Sequence, residues 1–248
     1  MVIQPGRGLY GQAVEEIGRR IIRGDHPPGS VLYPEKLEAE LGVSKTVVRE
    51  ALRVLASKGL IESRQKRGTT IRPRADWNLL DSDLLRWQGS SDPTDSFLED
   101  LAEVRAIVEP AGARLAAARR TESDLTALRQ ALDAMAAAGN DTEAMVEADL
   151  AFHRALLDAA HNELLSRMEV VIEAGLGIRD RIVHGARHFS DSVPVHQELL
   201  QAVEAGDPDA AAAAAQALLA QASEDLVAAR SRDGADEDTA DATEEEAR

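Results

Sequence analysis

The chain of 248 residues has no cysteine, which excludes disulfide frameworks, thiolate metal sites and thiol nucleophiles. Aromatic residues are scarce at 3% of the chain. Strands draw on aromatic and β-branched side chains, whereas the abundant alanine here favours packed helices. No apolar run reaches the roughly 18 residues of a membrane span, and no charged-then-apolar leader opens the chain. A mainly α, cytoplasmic protein with no membrane partner is expected. Lysine is rare as well, and all four lysines lie before residue 75.

What is present is unevenly charged. The formal net charge is −16, yet the first 74 residues hold 14 of the 28 Lys+Arg and only 8 of the 44 Asp+Glu, a net of +6 against −22 for the remainder. A basic module joined to an acidic one fits one part that meets a polyanion and one that avoids it. Two solvated surfaces of unequal charge would read the same way, so charge alone does not decide.

Breaker residues divide the chain. A first helix over 8–23 stops at "GDHPPGS", a short second one, "PEKLEAEL", stops at Gly42, and a third follows Ser44 as N-cap. "LIESRQKRGTTIRP" alternates as a two-stranded hairpin around Lys66–Gly68. These elements make residues 1–74 one domain. Residues 75–95 read as a linker with a short helix, and 96–230 as an all-α antiparallel helical bundle broken at "GND", "AHN", "SDSVP" and "AGDP". The glycines of "EAGLGIRDR" suggest a kink. Residues 231–248, acidic and without an apolar run, read as a disordered tail.

In the third helix Val48, Ala51, Leu52 and Leu55 recur at i, i+3, i+4 and i+7 and face inward. Lys45, Thr46, Arg49 and Arg53 are left outward near the helix N-terminus. Helix, glycine turn, helix is the plan of a helix-turn-helix, whose second helix reads the major groove of double-stranded DNA with its N-terminal residues. Lysine and arginine there reach guanine or phosphate, and Thr46 either. Lys66 and Arg67 with small Gly68 suit a wing along the minor groove. A small helical bundle with a solvated basic face is the bland alternative.

"PGSVLYPEKLEAELGVSKTVVREALRVLASKGLIESRQKRGTTI" resembles the winged helix-turn-helix of GntR-type bacterial repressors over about residues 8–73. The resemblance implies that Ser44, Lys45, Thr46, Arg49, Lys66, Arg67 and Gly68 occupy DNA-contacting positions. Where many members carry a DNA-touching arginine, this chain has Glu35 followed by Lys36. Either Lys36 substitutes or that contact is absent.

The second half sets Asp149 and His153 four residues apart within an apolar stripe of Met145, Phe152, Leu156 and Ala160. A buried carboxylate needs a partner or a metal. His196 falls in register with Leu199, Leu200 and Val203 on another buried face. Two imidazoles and a carboxylate converging among helices make a plausible divalent-metal site; equally, each is a satisfied core group, with His153 hydrogen-bonded to Asp149. Arg105, within the stripe Leu98, Leu101, Val108 and Leu115, needs an anion, either a bound carboxylate or Glu109 one turn on.

This half is similar to the all-α FCD ligand-binding domain of the FadR branch of the same family. The similarity implies that Asp149, His153 and His196 hold a metal ion, zinc first and nickel or manganese as alternatives, and that Arg105 holds an organic-acid effector. Many members add a fourth histidine where this chain has Leu218. "RADWNLLDSDLLRWQ" resembles the linker of members that answer to galactonate or gluconate; lactate- and pyruvate-type acids are the nearest competitors. The expectation is therefore a homodimeric regulator, a repressor released from a palindromic operator by an acid bound near the metal. A metal sensor and an iron-dependent enzyme are the rival classes, and nothing beside the triad looks like a poised catalytic base.

Overall fold

The computed structural model describes the backbone of residues 8–64, 68–90, 93–139, 141–185 and 192–246. It divides into two compact units at Thr94/Asp95. Among the described residues no helix is long and apolar enough to cross a membrane.

In the first unit, helix α1 (Leu9–Arg23) buries Ala13, Val14, Ile17 and Ile21 on one face. Helix α2 (Pro34–Leu41) starts on proline, which presets the first turn and lacks a donor that would be unpaired there. Gly42 ends α2 at φ 65°, a left-handed conformation that costs glycine little, and its N–H bonds back to Glu38. Helix α3 (Lys45–Ser57) begins at Ser44, whose Oγ accepts from the Val47 amide at 3.4 Å. The inward positions Val48, Ala51, Leu52 and Leu55 are all buried.

The hairpin is part of a larger sheet than the sequence suggests. Strands β2 (Ile61–Arg64) and β3 (Gly68–Ile71) pair antiparallel with Ser63 opposite Thr69. A two-residue strand, β1 (Val31–Leu32), adds to the free edge of β3, giving the order β1-β3-β2. Two residues carry no periodicity, so β1 is invisible until β3 offers its edge.

Residues 75–95 are not a free linker. They contain the short helix α4 (Ser82–Ser90), which packs into the core of the first unit through Leu84 and Trp87. Trp87 is fully buried, and its ring occupies the space where a Cβ at Gly18 would stand. Charge pairs fasten the same contact. Lys58 reaches Asp81 and Asp83 at 2.8 Å, and Arg86 grips both oxygens of Glu15 at 2.6 and 2.7 Å.

Among the described residues the second unit holds seven helices: α5 (Asp95–Arg119), α6 (Glu122–Ala138), α7 (Thr142–Ala159), α8 (Glu163–Ser166), α9 (Glu169–Gly185), α10 (Val193–Ala205) and α11 (Pro208–Glu246). Their core is alanine and leucine around Phe152 and Met135. The expected breaks at "AHN" and "AGDP" fall at the ends of α7 and α10, and those at "GND" and "SDSVP" lie partly outside the described residues. A further one at Thr121 separates α5 from α6 through a reciprocal capping box with Asp124. Helix α9 runs unbroken through Gly175 and Gly177. The backbone of 231–246 continues α11 as helix, where composition reads a disordered tail; its alanines and glutamates are strong helix formers.

Two measurements check this packing. An alanine in place of a helical glycine ordinarily stabilises by about 1 kcal/mol. At Gly18 the new Cβ would lie 2.4 Å from the buried Trp87 ring, and overpacking of about 1–3 kcal/mol outweighs that gain. Gly18→Ala therefore lowers the urea midpoint of the first unit; a raised midpoint would show that Trp87 does not sit there. Burial alone would raise the Glu15 pKa, but hydrogen bonds from Arg86 and Trp87 and the nearby arginine charges hold it at about 2, against an ordinary 4.5. The folded value is the lower one, so this stabilisation is complete above pH 4.5 and fades as pH falls towards 2. Glu15→Gln flattens the stability–pH curve in that window.

Candidate functional site

The described residues assigned to DNA lie on α2, at the start of and along α3, and at the start of β3. Lys36, Ser44, Lys45, Thr46, Arg49, Arg53 and Gly68 are all exposed. They are not equally available. Arg53 is paired to Glu50 at 2.8 Å, Lys45 lies 3.5 Å from Glu35, and the Lys36 ammonium sits 5.2 Å from the centre of the Tyr33 ring. Ser44 serves as the helix cap. Arg49 and Thr46 are exposed and have no such tie among the described residues. Lys66 and Arg67 lie outside the described residues.

The second candidate site is buried among α5, α7 and α10. Asp149 and His153 project from one face of α7, and His196 from the first turns of α10. The donor atoms of the three lie within 4.8 Å of one another, all of them buried. Asp149 Oδ1 stands 2.8 Å from His196 Nε2 and 3.6 Å from His153 Nε2. Phe152 stacks edge-on against the His196 ring at 5.0 Å and closes one side.

Neighbouring acceptors set which ring nitrogen points inward. His196 Nδ1 lies 2.7 Å from the Ser192 carbonyl, which only accepts, so Nδ1 carries the proton and donates. His153 Nδ1 lies 3.1 Å from Glu109 Oε2, again an acceptor. Both rings therefore direct Nε2 toward Asp149, the arrangement that metal-ligating histidines adopt when their other nitrogen is held by a carbonyl or carboxylate. Two imidazole nitrogens and a carboxylate oxygen fit a borderline divalent cation with positions left open. Leu218, on α11, belongs to the apolar core, and among the described residues no fourth ligand joins the group.

Arg105 is held by Glu109, one of the two partners open to it. Its Nε donates to Glu109 Oε1 at 2.6 Å, the internal pair, while its Nη2 is buried without a hydrogen-bond partner. The guanidinium borders a cavity of about 390 Å³ between α5, α9 and α11. Gly175, on α9, leaves the room the head occupies, since a Cβ there would meet Arg105 Cδ at 3.0 Å. Glu109 is thus the residue that sequence reasoning undervalued. Its only signal was the Arg-x-x-x-Glu spacing on a buried face.

The charges in this core are mutually stabilised. Burial would raise the Glu109 pKa, but the charges of Arg105 and His153 and their hydrogen bonds hold it down at about 2. Burial would lower that of His153, but Glu109 and then Asp149 move it above its ordinary value.

Comparison with known proteins adds the lineage. Residues 9–71 match the model described as bacterial regulatory proteins, gntR family, and residues 100–221 match the FCD domain. The chain is 36% identical over 213 residues to the galactonate operon transcriptional repressor of Escherichia coli, covering 85% of this chain and 93% of that one. It is 31% identical over 229 residues to a putative L-lactate dehydrogenase operon regulatory protein of the same organism, covering 88% and 86%. A solved structure of Lar, which controls the agr system of Listeria monocytogenes, superposes with a TM-score of 0.63 at 18% identity over 90% of this chain and 99% of that one, a likeness of fold.

Removing one member of a buried ion pair strands the other, at a cost of about 3–5 kcal/mol. Arg105→Met therefore destabilises the second unit by about that much in a denaturant titration. The double variant Arg105→Met/Glu109→Met recovers most of the loss; equal destabilisation of single and double variants would refute the pairing.

Proposed function

The chain belongs to the gntR family of bacterial regulatory proteins and is a DNA-binding transcriptional regulator rather than an enzyme, and on that premise we propose that it is a cytoplasmic, homodimeric repressor of sugar-acid catabolism genes, released from a palindromic operator by an organic acid bound near a divalent metal. One observation carries the effector half of this reading. A buried donor triad on α7 and α10 and a buried arginine on α5, whose Nη2 has no hydrogen-bond partner among the described residues, are joined through Glu109. The cavity beside Arg105 has the size of a small ligand site.

Asp149, His153 and His196 would hold the ion, with zinc first and nickel or manganese as alternatives for this donor set. When bound, the ion would supply a Lewis-acidic centre for an oxyanion or hydroxyl ligand. Arg105 would fix a carboxylate by its planar fork. At the other unit Thr46 and Arg49 would read base edges, with Lys36, Ser44, Lys45, Arg53, Lys66, Arg67 and Gly68 supporting the docking; two such units would read two half-sites. An acid that moves operator-bound dimers from 99:1 to 1:99 must discriminate between the two states by about 5.5 kcal/mol.

Galactonate- and gluconate-type acids lead because of the 36% relationship to a galactonate operon repressor. Lactate is the second reading, favoured by the 31% relationship to a lactate operon regulator. A thermal-shift screen of the full chain against these acids, with and without zinc, separates them. An acid at 100 times its dissociation constant stabilises the fold by about 2.7 kcal/mol. The expected hit needs metal and is lost in Arg105→Lys, which keeps a cation beside Glu109 but loses the fork. A hit indifferent to both would overturn the clamp. Arg49→Ala abolishes operator binding without altering that thermal shift, and an intact footprint from it would refute the assigned role.

A further inference from the structure

One carboxylate touches both halves of the effector site. Glu109 is 2% exposed, with Oε1 2.6 Å from Arg105 Nε and Oε2 3.1 Å from His153 Nδ1. It is itself a ligand to neither the metal nor the acid. Resting on the function proposed for this site, we infer that Glu109 is a positioning residue shared by the two receptors, turning His153 so that Nε2 faces the triad and holding the Arg105 guanidinium beside the cavity.

The chemistry derives from the acceptor-only character of an ionised carboxylate. A neutral imidazole presents one lone pair, and the proton on the other nitrogen decides where that lone pair points. With the ionised Glu109 carboxylate 3.1 Å from Nδ1, its charge favours the tautomer protonated there, and the lone pair falls on Nε2, toward Asp149 and His196. Without it, the tautomer with the lone pair directed away from the triad becomes available, and metal affinity falls. Such outer partners of metal-ligating histidines are worth about 10–100-fold in affinity. On its other side Glu109 takes the Nε edge of a guanidinium that Gly175 admits and that no other carboxylate reaches among the described residues. The head is thereby fixed with one donor edge spent and Nη2 unspent. Arg105 and Glu109 lie on successive turns of α5, so a single helix segment sets both orientations.

The test is zinc affinity of the full chain by competition with a metallochromic chelator, with no acid present, for the native protein, Glu109→Gln and Asp149→Ala. The expected result is a loss of about 10–100-fold in Glu109→Gln and loss of binding in Asp149→Ala. Native affinity in Glu109→Gln beside loss in Asp149→Ala would overturn the inference and leave the metal site standing. No zinc binding by the native chain would overturn the metal reading itself, and the inference with it. Should Glu109→Gln fail to fold, the long-range ¹⁵N spectrum of the zinc-loaded native chain decides, with His153 assigned from its absence in His153→Gln. Protonated Nδ1 and ligating Nε2 support the inference; a ring bound through Nδ1 overturns it.

Discussion

Five ionisable side chains lie within an alanine- and leucine-rich helical core, and none of them tolerates burial alone. Arg105, Glu109, Asp149, His153 and His196 are each at most 7% exposed. An isolated charge there would cost several kcal/mol. The fold answers by linking them end to end, from the guanidinium through Glu109 to His153, and from Asp149 to His196. Four of the five come in pairs spaced i, i+4 on α5 and α7, so the helix repeat itself supplies the contacts. The chain is an ordered set of partners that ends in a cavity at one side and a donor triad at the other.

The first unit shows the opposite economy of charge. Its surplus of basic residues suggested a broad cationic surface, yet much of that charge is committed internally. Lys58 and Arg86 fasten α4, Arg20 bridges Glu16 and Glu40, and Arg53 is tied to Glu50. Among the described residues Arg49, near the start of α3, has no such pair. Net charge per domain did not decide the partner by itself; the pairing shows which of the described basic side chains are already committed.

Periodicity made the long elements legible. The inward stripe of α3, the cap at Ser44 and the stop at Gly42 follow from local rules that tertiary contacts did not override. The misses share a cause. Strand β1 is two residues long and exists because β3 presents an edge. Helix α4 was legible as a short helix but its packing was not, because that packing is the Trp87 ring against Gly18, 69 positions earlier in the chain. The break at Thr121 did have a local signal, a Thr-x-x-Asp capping box.

The sequence by itself determined that Asp149, His153, His196 and Arg105 are buried, because a 3.6-residue repeat admits no other place for them in those stripes. It determined the helix-turn-helix for the same reason. It left open whether Arg105 faces a ligand or Glu109, and which nitrogen of each histidine points inward. Those depended on α9 placing Gly175 against the guanidinium, on Glu109 meeting His153 across two helices, and on the Ser192 carbonyl ahead of α10. The Glu109–His153 contact at 3.1 Å joins side chains of two helices that sequence spacing does not bring into register, whereas the Arg105–Glu109 and Ser192–His196 bonds are spaced i, i+4 and spacing leaves open only which atoms meet.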